Sequence, residues 1–132
     1  MKTGISDQWS VISGSAVCCF VALIAGILLA GCHSFHIDIA VENRTGAPIR
    51  LLEVDYPYAS FGSNGLAADA TFHYRIQVQG SGQLKVQYTE PNQHQVQIQG
   101  PPLAEKQEGT LEIVLLPNGK ADFQPHLSSN QK

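Results

Sequence analysis

The sequence predicts an all-β protein: a single small antiparallel β-sandwich of about seven strands, following an N-terminal hydrophobic signal helix. Three observations predict it. Short runs between residues 35 and 124 place apolar side chains at every second position, the period of a strand with one buried face. Clusters of Gly, Pro and Asn interrupt these runs about every 8–12 residues, the turn spacing of small sandwiches. The longest uncharged apolar stretch stands apart from them, at residues 16–30. With 43% apolar and 14% charged residues, the chain is too apolar to be disordered. Its 132 residues suit one small domain plus a targeting segment. A net charge of -3 and a pI near 5.9 argue against nucleic acid as a partner.

The signal segment comes first. Residues 16–30 contain neither charge nor Pro. As a helix they rise about 22 Å, short of the roughly 30 Å hydrocarbon core of a membrane. That length suits the apolar region of a signal peptide. Lys2 and the amino terminus place positive charge ahead of it, partly offset by Asp7. Directly after it comes Leu29-Ala30-Gly31-Cys32, whose small residues let the backbone enter a protease in extended form. These four residues resemble the lipobox of bacterial lipoproteins. The resemblance covers the first 32 residues only. It implies diacylglyceryl transfer to the Cys32 sulfur, cleavage between Gly31 and Cys32, and acylation of the new amino terminus. The covalent lipid on Cys32 is then the only non-protein group expected, with no other cofactor and no metal. Two or three acyl chains anchor firmly where one binds only marginally. In the same family Asp after the lipidated Cys favours retention in the inner membrane. His33 stands there, so the periplasmic face of the outer membrane is favoured. The alternative is an uncleaved single-pass membrane protein.

Cysteine use fits this reading. Cys18 and Cys19 lie inside the apolar segment and would leave with it, and Cys32 would become a thioether. The exported domain would hold neither thiol nor disulfide, so its stability must come from its core.

The strands follow in order. Phe35, Ile37, Ile39 and Val41 share one face, and residues 43–48 have turn chemistry. Leu52, Val54 and Tyr56 alternate next. Residues 57–66 read as a loop containing Gly62 and Gly65. Residues 71–78 show the cleanest alternation, turned by Gly80-Ser81-Gly82. Leu84, Val86 and Tyr88 give another stripe, then Val96 and Ile98 after a turn at 90–92. Residues 100–109 read as a polar connection. Leu111, Ile113 and Leu115 form the last long stripe. Asn118-Gly119 suits a type I′ hairpin turn, with residues 121–124 returning.

In strand spacing the chain resembles an immunoglobulin-like or fibronectin type III-like sandwich. The Cys and Trp hallmark of true immunoglobulin domains is missing, since Trp9 lies in the signal region. A small barrel is the rival fold. The expected organisation is signal peptide at 1–31, lipidated Cys and short tether at 32–35, sandwich at 36–125, and a frayed tail at 126–132.

Candidate functional residues are few. Gln77, Gln79, Gln83, Gln87, Gln93, Gln95, Gln97 and Gln99 make a neutral strand face, read most simply as a solvated face of an antiparallel sheet. Strand addition by a partner is conceivable along such a face. The segment 56–65 is the best binding candidate. It offers Tyr56, Tyr58, Phe61 and Asn64 for stacking on sugars or anchoring a partner, although Tyr56 and Phe61 also suit closure of the core. His33 and His36 are three apart and point to opposite faces of an extended chain, which does not suit a shared metal. His73 is expected to face solvent. Elbow, zincin and phosphate-loop motifs are missing, and no enzyme is expected. Asn43-Arg44-Thr45 spells a glycosylation sequon without meaning for a bacterial lipoprotein. The tether of two or three residues after Cys32, on the order of 10 Å, holds the domain at the membrane surface. The expected role is non-catalytic: a structural or protein-interaction module for another envelope protein. The alternative is a glycan- or ligand-binding module using segment 56–65. The partner and the oligomeric state are not written in the sequence.

Overall fold

Alternation of buried and exposed residues lays down eight strands in the computed structural model, which describes residues 33–129. They are β1 (Ile37–Asn43), β2 (Ile49–Tyr56), β3 (Ala59–Leu66), β4 (Thr71–Ile76), β5 (Ser81–Thr89), β6 (Gln95–Ala104), β7 (Gln107–Leu116) and β8 (Lys120–Ser129). The signal helix, the cleavage site at Gly31 and Cys32, and residues 130–132 lie outside the described residues.

Two four-stranded sheets face each other, ordered β4-β1-β7-β8 and β3-β2-β5-β6. The fold is an all-β sandwich, as expected. It is not wholly antiparallel, because β1 pairs parallel with β7 while its other neighbour, β4, runs antiparallel. The core is the alternation made solid. Ile37, Ile39 and Val41 of β1 lie beside Leu111 and Ile113 of β7, and all are essentially inaccessible. Leu52 and Val54 of β2 and Leu84, Val86 and Tyr88 of β5 face them from the other sheet. Each such buried aliphatic side chain contributes about 1.5–3 kcal/mol relative to exposure.

Three expected boundaries are corrected. The expected loop at 57–66 is mostly strand β3, joined to β2 by the two-residue turn Pro57-Tyr58. Its Ser, Gly and Asn residues read as turn formers, yet they lie on an edge strand where only Phe61 and Leu66 are buried. The expected connection at 100–109 is strand on both sides of a turn at Glu105-Lys106. Pro101 and Pro102 are accommodated because β6 is an edge strand, and its ladder with β5 is already irregular beside them, between Gln83 and Lys85. The expected tail from 126 is strand as far as Ser129, and Pro125 is tolerated because β8 is likewise an edge strand. The hairpin at Asn118-Gly119 has the expected positive φ at both residues, 65° and 69°.

Two local features shape the sheets. Leu51 adopts φ 50°, and the register of β2 against β5 shifts by one between Arg50 and Glu53. This bulge turns both Arg50 and Leu51 outward, so that Ile49 and Leu52 both reach the core. Asn43, fully buried at the end of β1, knits the loops at that end. Its Nδ2 donates to the carbonyls of Ala47 (2.9 Å), Leu66 (3.0 Å) and Ala67 (3.1 Å). Its Oδ1 accepts from Thr45 N (3.1 Å) and Thr45 Oγ1 (2.7 Å). The sequon asparagine is thus a structural amide with no room for a glycan.

Candidate functional site

The four residues proposed from segment 56–65 do not form one patch. Phe61 points inward from β3 and is 6% exposed. Tyr56 is half-buried, its ring centroid 6.2 Å from Phe61. Both close one side of the core. Tyr58 stands at the tip of the β2–β3 turn, 86% exposed. Asn64 is exposed on the outer face of β3, with Leu51, Glu53 and Ser60 around a shallow depression of about 350 Å³.

The structure adds two residues that the sequence alone does not single out. Phe72 and Tyr74 project inward from β4, in register with Val41 and Ile39 of β1. The Tyr74 ring stacks on Phe61 at 4.5 Å and 10°, with Phe72 6.2 Å from Phe61 and 6.5 Å from Tyr74. An aromatic seam therefore joins the edge strand of one sheet to the edge strand of the other. Tyr74 remains 46% exposed although its side chain faces the interior, because β4 ends its sheet there. Burial, and then the neighbouring Tyr74 hydroxyl, push the Tyr56 hydroxyl above its usual pKa. The alternation at 71–78 was the available signal. Which strand Tyr74 would meet depends on how the two sheets stack, and no local pattern encodes that.

The edge beside this seam is unusual in composition. Strand β3 reads Ala-Ser-Phe-Gly-Ser-Asn-Gly-Leu, without charge or Pro. Natural edges carry Lys, Pro or bulges to prevent pairing with other chains. Here β6 carries Pro101 and Pro102, β8 carries Lys120, Asp122 and Pro125, and β4 carries Arg75.

On the β4-β1-β7-β8 sheet, Ala40 floors a depression of about 500 Å³ rimmed by Asp38, His73, Arg75, Thr110 and Glu112. Arg75 Nε donates to Asp38 Oδ1 at 2.7 Å, and this guanidinium holds the Asp38 carboxyl below the usual carboxylate range. Both side chains are more than half exposed, so the pair is a solvent-screened surface bridge. His73 faces solvent on this surface. The His36 carbonyl accepts the Gly109 N–H at 3.2 Å, and His33 is exposed. Among the described residues no three His, Cys, Asp or Glu side chains are placed to share a metal ion. Of the expected glutamine face, Gln87 pairs with Gln97 on the outer face of the second sheet, with exposed Gln95 and Gln99 alongside, whereas Gln77 and Gln79 fall in the connection after β4 and Gln93 in the β5–β6 turn.

No family model and no curated protein matches the chain. A solved structure does: the NMR structure of a protein from Eubacterium rectale superposes with a TM-score of 0.51 at 13% identity. The match covers 73% of this chain and 93% of that one. At that identity the likeness concerns the fold alone.

Proposed function

We propose that the chain is a bacterial envelope lipoprotein, anchored through acyl chains on Cys32 to the periplasmic face of the outer membrane. Its sandwich, immunoglobulin-like in strand spacing, acts without catalysis as a structural or protein-interaction module. The observation that carries the anchoring is the tetrad Leu29-Ala30-Gly31-Cys32, placed directly after an apolar run too short to span. His33 after the cysteine favours the outer membrane. The interaction role is supported by the one edge strand, β3, that lacks both charge and Pro. The glycan-binding alternative is favoured by the half-exposed Tyr74 ring, which offers a sugar an aromatic face beside the Tyr56 hydroxyl.

The test is the intact mass of protein from a detergent-solubilised membrane fraction, beside a Cys32→Ala variant. The expected mass is that of a chain beginning at Cys32 plus acyl chains, with the variant unprocessed. A full-length mass unaffected by Cys32→Ala overturns the reading in favour of an uncleaved single-pass protein. Saturable glycan binding by the lipidated protein, abolished by Tyr74→Ala, would transfer the role to the second reading.

A further inference from the structure

We propose that the end of the sandwich bearing the Pro57-Tyr58 turn rests on the membrane, with the Tyr58 ring seated among the lipid headgroups. This inference rests on the lipid anchor at Cys32. Pair register defines the end. Ile37, which opens β1, lies opposite Ile76 near the end of β4 and opposite Gly109 near the start of β7. Gly109 in turn lies opposite Leu127 near the end of β8. The second sheet contributes its own turns to this end. The Gly80 N–H donates to the Glu105 carboxylate at 2.7 Å, tying the chain before β5 to the β6–β7 turn. The β2–β3 turn packs over the same segment, Pro57 beside Gly82 and Tyr58 over Gly80. The turns at 44–48, 67–70, 90–94 and 117–119 lie at the opposite end.

Chain length decides which end meets the lipid. His33, Ser34 and Phe35 separate Cys32 from His36, whose carbonyl is already bound to Gly109 N–H. Four residue steps reach about 14 Å at most. The ten-residue strands of the sandwich run about 33 Å. Such a tether holds the Tyr58 end against the bilayer and keeps the far end off it.

Tyr58 is built to be presented there. It takes φ 68° as the second residue of a two-residue turn, a position that ordinarily demands Gly or Asn. Its ring lies over Gly80, where a Cβ would come within 2.5 Å of Tyr58 Cε2, so the missing side chain leaves the ring its place. Yet the residue is 86% exposed. The neighbouring chain, Pro57, Ala59 and Ser60, carries no charge. An apolar ring with a polar tip is the side chain that prefers the boundary between headgroups and hydrocarbon.

The mature protein would contain no tryptophan, because Trp9 leaves with the signal peptide. One introduced tryptophan therefore reports position. Lipidated Tyr58→Trp, Tyr74→Trp and Asn92→Trp proteins are reconstituted in phosphatidylethanolamine–phosphatidylglycerol vesicles with brominated acyl chains. Ala59→Trp is a second probe of the same turn. Quenching of the Tyr58→Trp and Ala59→Trp proteins is expected to exceed that of the Asn92→Trp protein about threefold or more. Equal quenching at the two ends, with a lipidated mass, overturns the orientation alone. Strongest quenching in Tyr74→Trp also overturns it, showing a sandwich lying on its side. A mass that retains residues 1–31 overturns the anchoring and the orientation together.

Discussion

Strands β6 and β8 meet on one open side of the sandwich, and strands β3 and β4 on the other. On the first side a Cβ at Gly100 would lie 2.8 Å from both Leu84 and Phe123, so the edges close tightly. Three prolines lie along these edges, Pro101, Pro102 and Pro125. On the second side Phe61, Phe72 and Tyr74 stack across the gap and leave Tyr74 half in solvent, and neither strand holds a proline. An edge strand exposes unused N–H and C=O groups, and proline withdraws one donor at each position it takes. The contrast teaches that this protein guards both edges of one side against added strands and leaves one edge of the other, β3, with neither proline nor charge, while β4 carries Arg75. The unguarded side is also the one with exposed aromatic surface.

Removing the keystone of the open side should have the largest effect. Phe61→Ala deletes a ring that is 6% exposed and touches Tyr56, Phe72 and Tyr74. It is expected to cost about 3–4 kcal/mol of stability by urea denaturation, as buried aromatic truncations do. Phe123→Ala, at the half-buried counterpart, should cost about half as much. Equal costs would break the comparison, because the two sides would then be sealed alike and differ only in composition.

A smaller effect sits beside the guarded side. Tyr88 of β5, opposite Val96 of β6, is 2% exposed, and its hydroxyl has no hydrogen-bond partner. Tyr88→Phe removes a desolvated polar group without leaving a cavity, so it should raise stability by about 1 kcal/mol. Burial, and then the charge of Glu90, push the Tyr88 pKa upward. A raised folded-state value means that the neutral phenol's contribution is intact below about pH 10 and is lost as pH rises through the folded value. The advantage of Tyr88→Phe should therefore widen in alkaline melts. A loss of stability at neutral pH would mean that the hydroxyl is satisfied after all.

Legibility in the sequence follows the same division between centre and edge. The central strands β1, β2, β5 and β7 have neighbours on both sides and one face in the core, so alternation announces them: Ile37-Ile39-Val41 and Leu111-Ile113-Leu115 are unmistakable. Three of the four edges depart from expectation. Strand β3 has the composition of a loop because an edge with one buried residue in several tolerates Gly, Ser and Asn. Strands β6 and β8 run on through prolines that a central strand would not accept. The aromatic seam was half legible. Tyr56 belongs to the alternating stripe of β2 and Phe61 suited core closure even in a segment read as a loop, whereas the stacking of Tyr74 on Phe61 joins residues of different sheets. That contact is a product of sheet packing.

The substitution with the smallest effect on stability tests the comparison most directly. Ser60 is exposed on β3 opposite Asp55, so Ser60→Lys adds the charge that natural edges use without touching the core. Its effect on stability should stay within about 0.5 kcal/mol. If β3 receives a strand from an envelope partner, crosslinked partner recovered from membranes should fall to background with Ser60→Lys. It should be unchanged with Ser128→Lys on the guarded edge β8, where Ser128 is also exposed. Tyr74→Ala separates the two uses of the open side. Capture lost with Ser60→Lys but kept with Tyr74→Ala identifies the backbone of β3 as the contact, since strand addition reads N–H and C=O groups. Capture lost only with Tyr74→Ala moves the contact to the aromatic seam. Capture surviving both, and lost with Ser128→Lys, would reverse the assignment of open and guarded sides.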